Sequence, residues 1–321
     1  PKVKEYFNYY QPSLVVSTHP IAKNETEFLQ CAKKLGINTV GMIKSWDNLT
    51  TKGYLPVFTN HYIVWNQVMQ EEMIKIHNIQ RSDVTITGVP QFDSYSDRKT
   101  IVQKEDFFLN IGLNHKKKTI LYFTSPESIA PEDPKILLKI LKRLSEQERK
   151  NFQIVVRLHP LDSMQRYTFI QQSIYDNITF QIPGRDLNGD GNYRMHDPMF
   201  INELRDTMFY SDVTINTCSS TSLDAVAMDR PVINIAFDLE KKDYLKSCKR
   251  YYDFEHFQPI LKTCATKLAS SFDELINLIF RYIKDPGLES EERKQLRNIM
   301  CYEVDGLSSK RIADAIFNNL E

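Results

Sequence analysis

Four consecutive hydroxyl side chains stand at a predicted strand-to-helix junction in the second half of the chain. They are Ser219, Ser220, Thr221 and Ser222, within the stretch SDVTINTCSSTSLDAVAMDRPVINIAFD. The run DVTINT predicts a strand and TSLDAVA predicts a helix, which Thr221 or Ser222 is placed to cap. A helix start offers unpaired N–H groups and a positive dipole end, so with added hydroxyl donors it suits a phosphate. Asp224 lies in that first turn, where it stabilises the helix or accepts from a ribose hydroxyl. Plain capping is the alternative for the whole cluster.

Two other predicted strands end in polar residues. The run IVVRLHP places Arg157 and His159 at a strand's carboxyl end. Arginine donates bidentate hydrogen bonds to two oxygens of a phosphate. Histidine donates one hydrogen bond or becomes cationic at modest pH. An ion pair for Arg157 and a core position for His159 are the alternatives. The run ILYFTSPES ends in Thr124 and Ser125, at the edge of a parallel sheet where ligands bind.

Several other site types are absent from the sequence or poorly matched. No G-x-G-x-x-G follows the strand ILYFTS, and no G-x-x-x-x-G-K-[ST] loop occurs, which argues against a dinucleotide fingerprint and a P-loop. Asp186, Asn188, Asp190 and Gly191 match the start of a calcium loop. A strand rather than a helix precedes them, and Asp197 replaces the usual glutamate, so we favour a polar loop near a nucleotide. We predict no metal and no cofactor.

Alternating apolar strands and amphipathic helices predict an α/β fold with parallel sheets covered on both faces. Each half of the chain reads as a doubly wound, Rossmann-like sheet. Residues 1–98 form a first, partial domain, residues 99–116 a linker marked by HKKKT, and residues 117–304 a second domain, followed by a helix over 305–321. Predicted strands cover 13–17, 38–43, 61–65, 84–87, 119–125, 152–158, 177–182, 212–217 and 231–237, and predicted helices include 22–35, 67–77, 134–150, 163–175, 199–210 and 273–284.

Composition excludes several classes of protein. The 321 residues include 41 basic and 41 acidic side chains, so no net field favours nucleic acid or an anionic membrane. Five scattered cysteines fit a reducing compartment rather than a disulfide framework. No apolar run reaches the roughly 20 residues of a membrane span, and no signal peptide is visible. We therefore expect a cytoplasmic protein. Because the chain begins at Pro1 rather than Met, we expect its natural N-terminus to lie further upstream.

The motifs together resemble those of CDP-glycerol glycerophosphotransferases, enzymes that build teichoic-type polymers. The resemblance rests on CSSTSLDAVAMDRPVINIAFDLEKKDY, YYDFEHFQPILKT, SFDELINLI and VVRLHP. In the first half, KSWDNLTTKG, VWNQVMQEEMIKIHNI and VTITGVPQFDSY resemble related surface-carbohydrate glycosyltransferases. The resemblance implies the GT-B architecture of two Rossmann-like domains with a cleft between them. It implies that residues 1–98 are the acceptor domain and that the C-terminal helix, 305–321, packs back toward that domain. It implies that the second domain binds a nucleotide-activated donor, without a required metal, through Thr124, Ser125, Arg157, His159, Ser219, Ser220 and Thr221.

A transferase of this kind moves a sugar or polyol phosphate from a UDP-, CDP- or CMP-linked donor to a hydroxyl of a glycan or lipid-linked acceptor. It needs a base for that hydroxyl and positive groups for the leaving phosphate. We expect the base in the first domain, where His19 and Asp47 each follow a strand. A backbone contact at the Pro20 turn is the alternative for His19, and capping of a turn is the alternative for Asp47.

Three further possibilities remain open at this stage. A UDP-sugar 2-epimerase shares the fold, but its chemistry needs paired carboxylates, which are not evident at the strand ends. A non-catalytic module that binds nucleotide sugars is the second possibility. The third concerns location: the amphipathic stretch 133–150 carries Lys139, Lys142 and Arg143, which suit peripheral contact with the inner face of a membrane. A solvated outer helix is the alternative for that stretch.

Overall fold

The computed structural model describes residues 2–144, 151–172, 175–186, 194–195 and 199–320. The chain divides into two compact units. The first contains residues 1–96 and 297–321, and the second contains residues 97–296. The predicted calcium-loop stretch, 186–197, lies almost entirely outside the described residues, as do residues 145–150 of the predicted amphipathic helix.

The first unit is built on a four-stranded parallel sheet in the order β1-β2-β3-β4. Its register pairs Val15 with Thr39 and Gly41 with Tyr62. The order follows the sequence without a reversal, so the described strands of this unit do not show the predicted doubly wound order. The strands are β1 (Leu14–Ser17), β2 (Asn38–Met42), β3 (His61–Val64) and β4 (Val84–Ile86), and the helices are α1 (Lys2–Tyr10), α2 (Lys23–Lys34), α3 (Asn48–Thr51), α4 (Gln67–His77) and α5 (Asp93–Ser96).

The last helix of the chain, α14 (Ser308–Phe317), packs on the sheet of the first unit. Its buried Ala315 meets Val40 and Ile63, because apolar residues at helical spacing cover the sheet face. The helix starts where the Asp93 carboxylate accepts from the backbone N–H of Ser308 at 2.9 Å and of Ser309 at 2.7 Å. An acidic side chain from α5 therefore caps a helix more than 200 residues further along the chain.

The second unit is a six-stranded parallel sheet in the order β12-β11-β10-β5-β6-β7. The order reverses between β5 and β10, and such a switch point is where doubly wound sheets bind ligands. The strands are β5 (Lys118–Phe123), β6 (Phe152–Arg157), β7 (Ile178–Gln181), β10 (Val213–Asn216), β11 (Val232–Ile235) and β12 (Thr266–Ala269), with β8 (Arg185–Asp186) and β9 (Arg194–Met195) as a separate antiparallel pair. The helices are α6 (Lys104–Asn110), α7 (Asp133–Arg143), α8 (Thr168–Gln171), α9 (Met199–Phe209), α10 (Thr221–Ala227), α11 (Gln258–Lys262), α12 (Phe272–Lys284) and α13 (Ser290–Met300), and α13 contains the division at 296/297.

The predicted linker, residues 99–116, belongs to the second unit instead. Arg205, which is 1% exposed, donates to the Thr100 carbonyl at 2.9 Å and to its hydroxyl at 2.7 Å. The rings of Phe107 and Phe108 on α6 lie 5.2 and 5.9 Å from the ring of Tyr210. A buried guanidinium and an aromatic cluster therefore hold this stretch, whose basic run HKKKT suggests a boundary when read alone.

No helix in the described ranges is long and apolar enough to cross a membrane.

Candidate functional site

A pocket opens at the carboxyl ends of β5 and β6 and at the turn after β10, beside the reversal in strand order. Its free volume is about 350 Å³, including the part open to solvent. It gathers five of the nine residues predicted to bind a donor, from three separate strand ends. The lining residues are Phe123, Thr124, Arg157, Leu158, His159, Pro160, Pro183, Phe200, Leu204, Ser219 and Thr221.

Arg157 is the central charge of this pocket. The residue is 2% exposed, and its Nη1 donates to Gln181 Oε1 at 3.0 Å and to Glu203 Oε2 at 2.8 Å. Its guanidinium carbon lies 5.0 Å from the ring centre of Phe200. Its Nη2 is buried and has no hydrogen-bond partner within the described part of the chain. A buried, unsatisfied donor costs about 1–3 kcal/mol, and more when it is charged, so an anion in the pocket would recover that energy.

His159 has a defined tautomer. Its Nδ1 accepts from the backbone N–H of Leu161 at 3.0 Å, so the neutral ring carries its proton on Nε2. The backbone N–H of His159 donates to the Thr124 hydroxyl oxygen at 3.0 Å, and the Thr124 N–H donates to the Arg157 carbonyl at 3.0 Å. Thr124 therefore joins the ends of β5 and β6 and fixes the imidazole relative to the guanidinium.

A left-handed residue sets the turn between β10 and α10. Cys218 has φ +45°, a conformation that costs a non-glycine residue roughly 1–2 kcal/mol. Its backbone N–H donates to the Tyr252 hydroxyl at 2.9 Å, and that hydroxyl donates to the Ile235 carbonyl at 2.7 Å. The buried tyrosine holds the sharp turn, which brings Ser219 and Thr221 to the pocket wall.

The four hydroxyls of the cluster have different surroundings. Ser219 Oγ accepts from the Thr221 N–H at 3.3 Å, while the buried Oγ1 of Thr221 has no partner within the described chain. Ser220 is exposed and is the N-cap residue of α10, but its side chain makes no capping bond. The prediction that Thr221 or Ser222 caps the helix is therefore wrong. Ser222 is 0% exposed, and its hydroxyl donates to Asn234 Oδ1 at 3.0 Å, so it faces the core rather than the pocket.

Ser125 and Asp224 are also buried, at 3% and 6% exposure. The Ser125 hydroxyl donates to the Thr217 carbonyl at 3.2 Å, and its N–H donates to Asp133 Oδ2 at 2.8 Å. Asp224 lies in the first turn of α10, as predicted. Neither residue is among those that line the pocket in the described chain, so we expect both to support the site rather than contact the donor.

A buried acid behind the pocket fixes the turn after β5. Asp133, the first residue of α7, accepts from the Ser125 N–H and from the Tyr122 hydroxyl, the latter at 2.9 Å. Burial raises the pKa of Asp133 to about 7, although both hydrogen bonds and the charge of Arg166 act to lower it. The effect of burial on this pKa is the larger one, because the ionised carboxylate loses more hydration energy than the two hydrogen bonds give back.

A second buried acid fixes the turn after β6. Asp162 accepts from Arg166 Nη1 at 2.5 Å and from the Tyr167 hydroxyl at 2.8 Å. Arg166 also donates to the carbonyls of Ser125 at 3.2 Å and Ala130 at 2.8 Å, so it joins the two strand-end turns. Sequence reasoning missed Asp133, Asp162 and Arg166. Their roles depend on which turns meet, and the only signal in the sequence was their position shortly after strand ends.

The two predicted bases lie in the first unit. His19 follows β1, and its buried Nδ1 has no partner among the described residues. Its backbone N–H donates to Glu25 Oε2 at 3.0 Å. Burial acts to raise the pKa of Glu25, but hydrogen bonds from Ser17, the His19 N–H and Thr18 outweigh it and hold that pKa below its usual value. The turn that carries His19 is thus held from its backbone, which leaves the ring nitrogen available for chemistry.

Asp47 differs from His19 because both of its carboxylate oxygens accept hydrogen bonds. Its Oδ1 accepts from the Ser45 hydroxyl and, at 3.3 Å, from the Asn48 amide, and its Oδ2 accepts from the Thr51 hydroxyl at 3.1 Å. It is also the residue that precedes α3. All of these contacts come from side chains, and within the described residues Asp47 makes no side-chain capping bond at the start of α3, so the capping alternative is wrong. Both carboxylate oxygens nevertheless accept from neighbouring side chains, which leaves Asp47 less available as a base than His19.

Within the described ranges, no group of three or more His, Cys, Asp or Glu side chains is arranged to hold a metal ion. Metal independence stays a prediction.

Solved structures define the class to which this fold belongs. A structure of Staphylococcus aureus MnaA with UDP matches 100% of this chain and 80% of its own, with a TM-score of 0.62 and 13% identity. The wall teichoic acid polymerase TagF matches over 99% and 84%, with a TM-score of 0.57 and 16% identity. At these identities the likeness establishes the fold alone. The two parallel-sheet units are those of the GT-B class, which confirms the predicted α/β, GT-B fold class. The doubly wound order is seen in the second sheet and not among the described strands of the first.

The family follows from sequence comparison. The family model for CDP-Glycerol:Poly(glycerophosphate) glycerophosphotransferase matches residues 21–318, and the chain belongs to that family. The teichoic acid poly(ribitol-phosphate) polymerase of Bacillus spizizenii is 24% identical over 272 residues, which cover 82% of this chain and 39% of the relative. TarK, a teichoic acid ribitol-phosphate polymerase of Staphylococcus aureus, is 25% identical over 248 residues, covering 74% and 41%. The predicted family resemblance is confirmed, and the chain spans about two fifths of the length of these relatives.

Proposed function

We propose that this chain is the catalytic part of a transferase that moves a polyol phosphate from a CDP-activated polyol to a hydroxyl of a growing teichoic-type polymer. The observation that carries the proposal is the guanidinium of Arg157, which is buried beside the switch point and whose Nη2 has no partner among the described residues. The family supports polyol-phosphate transfer over the other donors that the sequence left open. Glycerol and ribitol are both compatible with the relatives.

The reaction forms one bond to phosphorus and breaks another. The acceptor oxygen attacks the phosphorus that carries the polyol, and the bond from that phosphorus to the oxygen bridging to CMP breaks. CMP leaves with the negative charge, and the acceptor proton passes to a base. In phosphoryl transfer of this kind the protein contributes chiefly positioning and charge stabilisation. Arg157 Nη2, the Nε2–H of His159 and the Thr221 hydroxyl are the donors that meet the phosphates in this proposal.

His19 is our candidate base for the acceptor hydroxyl. An imidazole is the side chain that most often serves as a general base in enzymes. Its Nδ1, which has no partner in the part of the chain that the structure describes, is the observation that favours it over Asp47, whose carboxylate already accepts from the side chains around its turn. Glycan or lipid-linked acceptors and peripheral contact with a membrane through α7 belong to the same proposal, with Lys139 and Arg143 exposed on that helix.

A nucleotide screen by thermal unfolding tests the proposal. A ligand that binds the folded state raises the free energy of unfolding, by about 2.7 kcal/mol at a ligand concentration of 100 times Kd, and Tm rises with it. We expect CDP, CDP-glycerol or CDP-ribitol to raise Tm, and UDP and UDP-N-acetylglucosamine to have little effect. A response to UDP-N-acetylglucosamine alone would favour the epimerase. Binding of CDP-polyols without CMP release in the presence of an acceptor would favour the non-catalytic module.

A further inference from the structure

One face of the helix α9 holds the guanidinium of Arg157 from behind the donor pocket. Phe200, Glu203 and Thr207 stand at positions i, i+3 and i+7 of this helix, so their side chains share one face. The ring centre of Phe200 lies 5.0 Å from the guanidinium carbon, and Glu203 Oε2 accepts from Nη1 at 2.8 Å. Two of the contacts that Arg157 makes within the described chain therefore come from α9.

A third contact reaches Arg157 through Gln181, at the end of β7. Gln181 is 6% exposed; its Oε1 accepts from Arg157 Nη1 at 3.0 Å, and its Nε2 donates to the Thr207 hydroxyl at 3.0 Å. Thr207 donates its single proton to the Glu203 carbonyl at 2.7 Å, a shorter contact than the 3.2 Å to Gln181 Oε1. Because an amide has one accepting end and one donating end, the bond to Thr207 determines which end of Gln181 faces Arg157.

These contacts use both protons of one guanidinium nitrogen. Each Nη of an arginine carries two N–H groups, and those of Nη1 go to Gln181 and Glu203. Nη2 has no partner among the residues that the structure describes. Since a guanidinium is planar, holding Nη1 on two acceptors and the plane beside Phe200 also sets the direction of Nη2. The residues behind the guanidinium therefore decide which of its nitrogens a ligand meets.

Glu203 also supplies a negative charge to a buried cation. Arg157 is 2% exposed, whereas the side chain of Glu203 is 46% exposed. A buried charge is costly unless it is paired, so Glu203 stabilises the guanidinium in place before any anion binds. An arginine that is already ordered loses less conformational entropy when it binds a ligand.

We propose that Glu203 and Gln181 are positioning residues of the donor site, which occupy Nη1 of Arg157 and thereby direct Nη2 at a phosphate of the donor. Neither is among the described residues that line the donor pocket, so both act through Arg157. The inference rests on the proposed function, because it needs an anion at Nη2. It goes beyond that function by naming the residues that orient the charge without contacting the donor.

A matched pair elsewhere in the second unit provides a control. Arg293 is 1% exposed, its Nε donates to Asp229 Oδ1 at 2.8 Å, and the side chain of Asp229 is 49% exposed. In the described chain, neither residue lines the donor pocket. Replacement of Asp229 therefore removes a half-exposed carboxylate from a buried arginine, as replacement of Glu203 does, but away from that pocket.

Calorimetric titration with CDP tests the assignment. In Glu203→Ala and in Gln181→Met, Kd should rise by about fivefold or more, because the guanidinium must then be ordered on binding. Glu203→Gln keeps an oxygen that accepts from Nη1, so its Kd should stay within about twofold of the wild type. Asp229→Ala should leave Kd unchanged even if its Tm falls. In an Arg157→Met background, Glu203→Ala should have no further effect on Kd, because no guanidinium remains to be positioned.

Three results would overturn the assignment. They are wild-type affinity for CDP in folded Glu203→Ala and Gln181→Met, an equal loss of affinity in Asp229→Ala, or the same effect of Glu203→Ala with and without Arg157. If Glu203→Ala does not fold, Glu203→Met, which keeps the aliphatic stem, replaces it in every comparison. Arg157→Met separates the two proposals. Wild-type affinity in that variant contradicts the donor-phosphate site itself, whereas weak binding there beside wild-type affinity in Glu203→Ala contradicts the positioning role alone.

Discussion

Replacement of Arg157 by alanine should weaken CDP binding without unfolding the protein. Within the described residues, the guanidinium makes two hydrogen bonds through Nη1 and none through Nη2. The interaction lost with the ligand is therefore at least one charge-assisted hydrogen bond. Such a bond contributes about 1.5–3 kcal/mol. Since 1.4 kcal/mol corresponds to a factor of ten, Kd should rise by roughly 10- to 150-fold.

Substitutions at the same position separate charge from shape. Arg157→Lys keeps a positive charge but loses the fork, so an intermediate loss of affinity is expected. Arg157→Met removes the charge while keeping apolar contact with Phe200, and its affinity should resemble that of the alanine variant. Arg143→Ala, at an exposed arginine on α7, is the matched control.

Isothermal titration calorimetry with CDP at two salt concentrations is the assay, with Tm of each variant measured beside it. Salt should weaken binding to the wild type more than to Arg157→Met, because screening acts on the charge that the variant lacks. If Arg157→Ala and Arg157→Met both fold and bind CDP within twofold of the wild type, the assignment of the phosphate site is refuted.

Three further predictions concern the turn hydroxyls, the buried acid and the base. Thr221→Val should weaken CDP binding severalfold with little change in the free energy of unfolding. Ser222→Ala should lower the free energy of unfolding by about 1–3 kcal/mol and leave the Kd for CDP unchanged. Calorimetry and urea unfolding of both variants are the measurements, and the opposite pattern would reverse the two assignments. The pKa of Asp133 is raised by burial from 3.8 to about 7, so the folded state holds this proton more tightly. The contribution of this group to the free energy of unfolding is fully present below pH about 4. It falls by up to about 4 kcal/mol as the pH rises to about 7, and it does not change further above that pH. Urea unfolding from pH 5 to 8 should show that slope in the wild type and a smaller one in Asp133→Asn; equal slopes would exclude this group as the source. His19→Ala should abolish CMP release while calorimetry shows unchanged CDP affinity, and retained turnover would move the role of base to Asp47.

The sheets were predictable from the sequence because their strands are apolar runs bounded by polar turns. All nine predicted strands are present with small shifts at their ends. The strand β12, with the sequence TKLA, was missed because it is short and carries a lysine. The helix α13 was missed because its sequence, SEERKQLRNIM, is dominated by charged and polar side chains. The predicted helix at 163–175 forms only a short turn and α8 in the described residues.

The candidate site was predictable as a set of strand ends but not in its detail. Arg157 and His159 were found because both follow a strand on the ligand-binding edge. Glu203, which binds Arg157, lies 46 residues away and has no local signal. The hydroxyl run could not show which members face the pocket, because that depends on the left-handed Cys218. The left-handed conformation of this one residue sets the direction of the chain into α10, and with it which side chains face the pocket. Thr221 lines the pocket and Ser222 is buried.

The proposed transfer is tested most directly by the release of CMP from a CDP-polyol by this chain in the presence of an acceptor. CDP-glycerol and CDP-ribitol are each incubated with a polyol-phosphate acceptor, and both CMP and the lengthened acceptor are measured by mass spectrometry. We expect CMP and extended acceptor in equal amounts from one of these donors, and formation of both at least tenfold slower in Arg157→Ala at donor concentrations below Kd. CMP release that matches acceptor-free controls with both donors, from a folded protein that binds CDP, would contradict the proposed transfer.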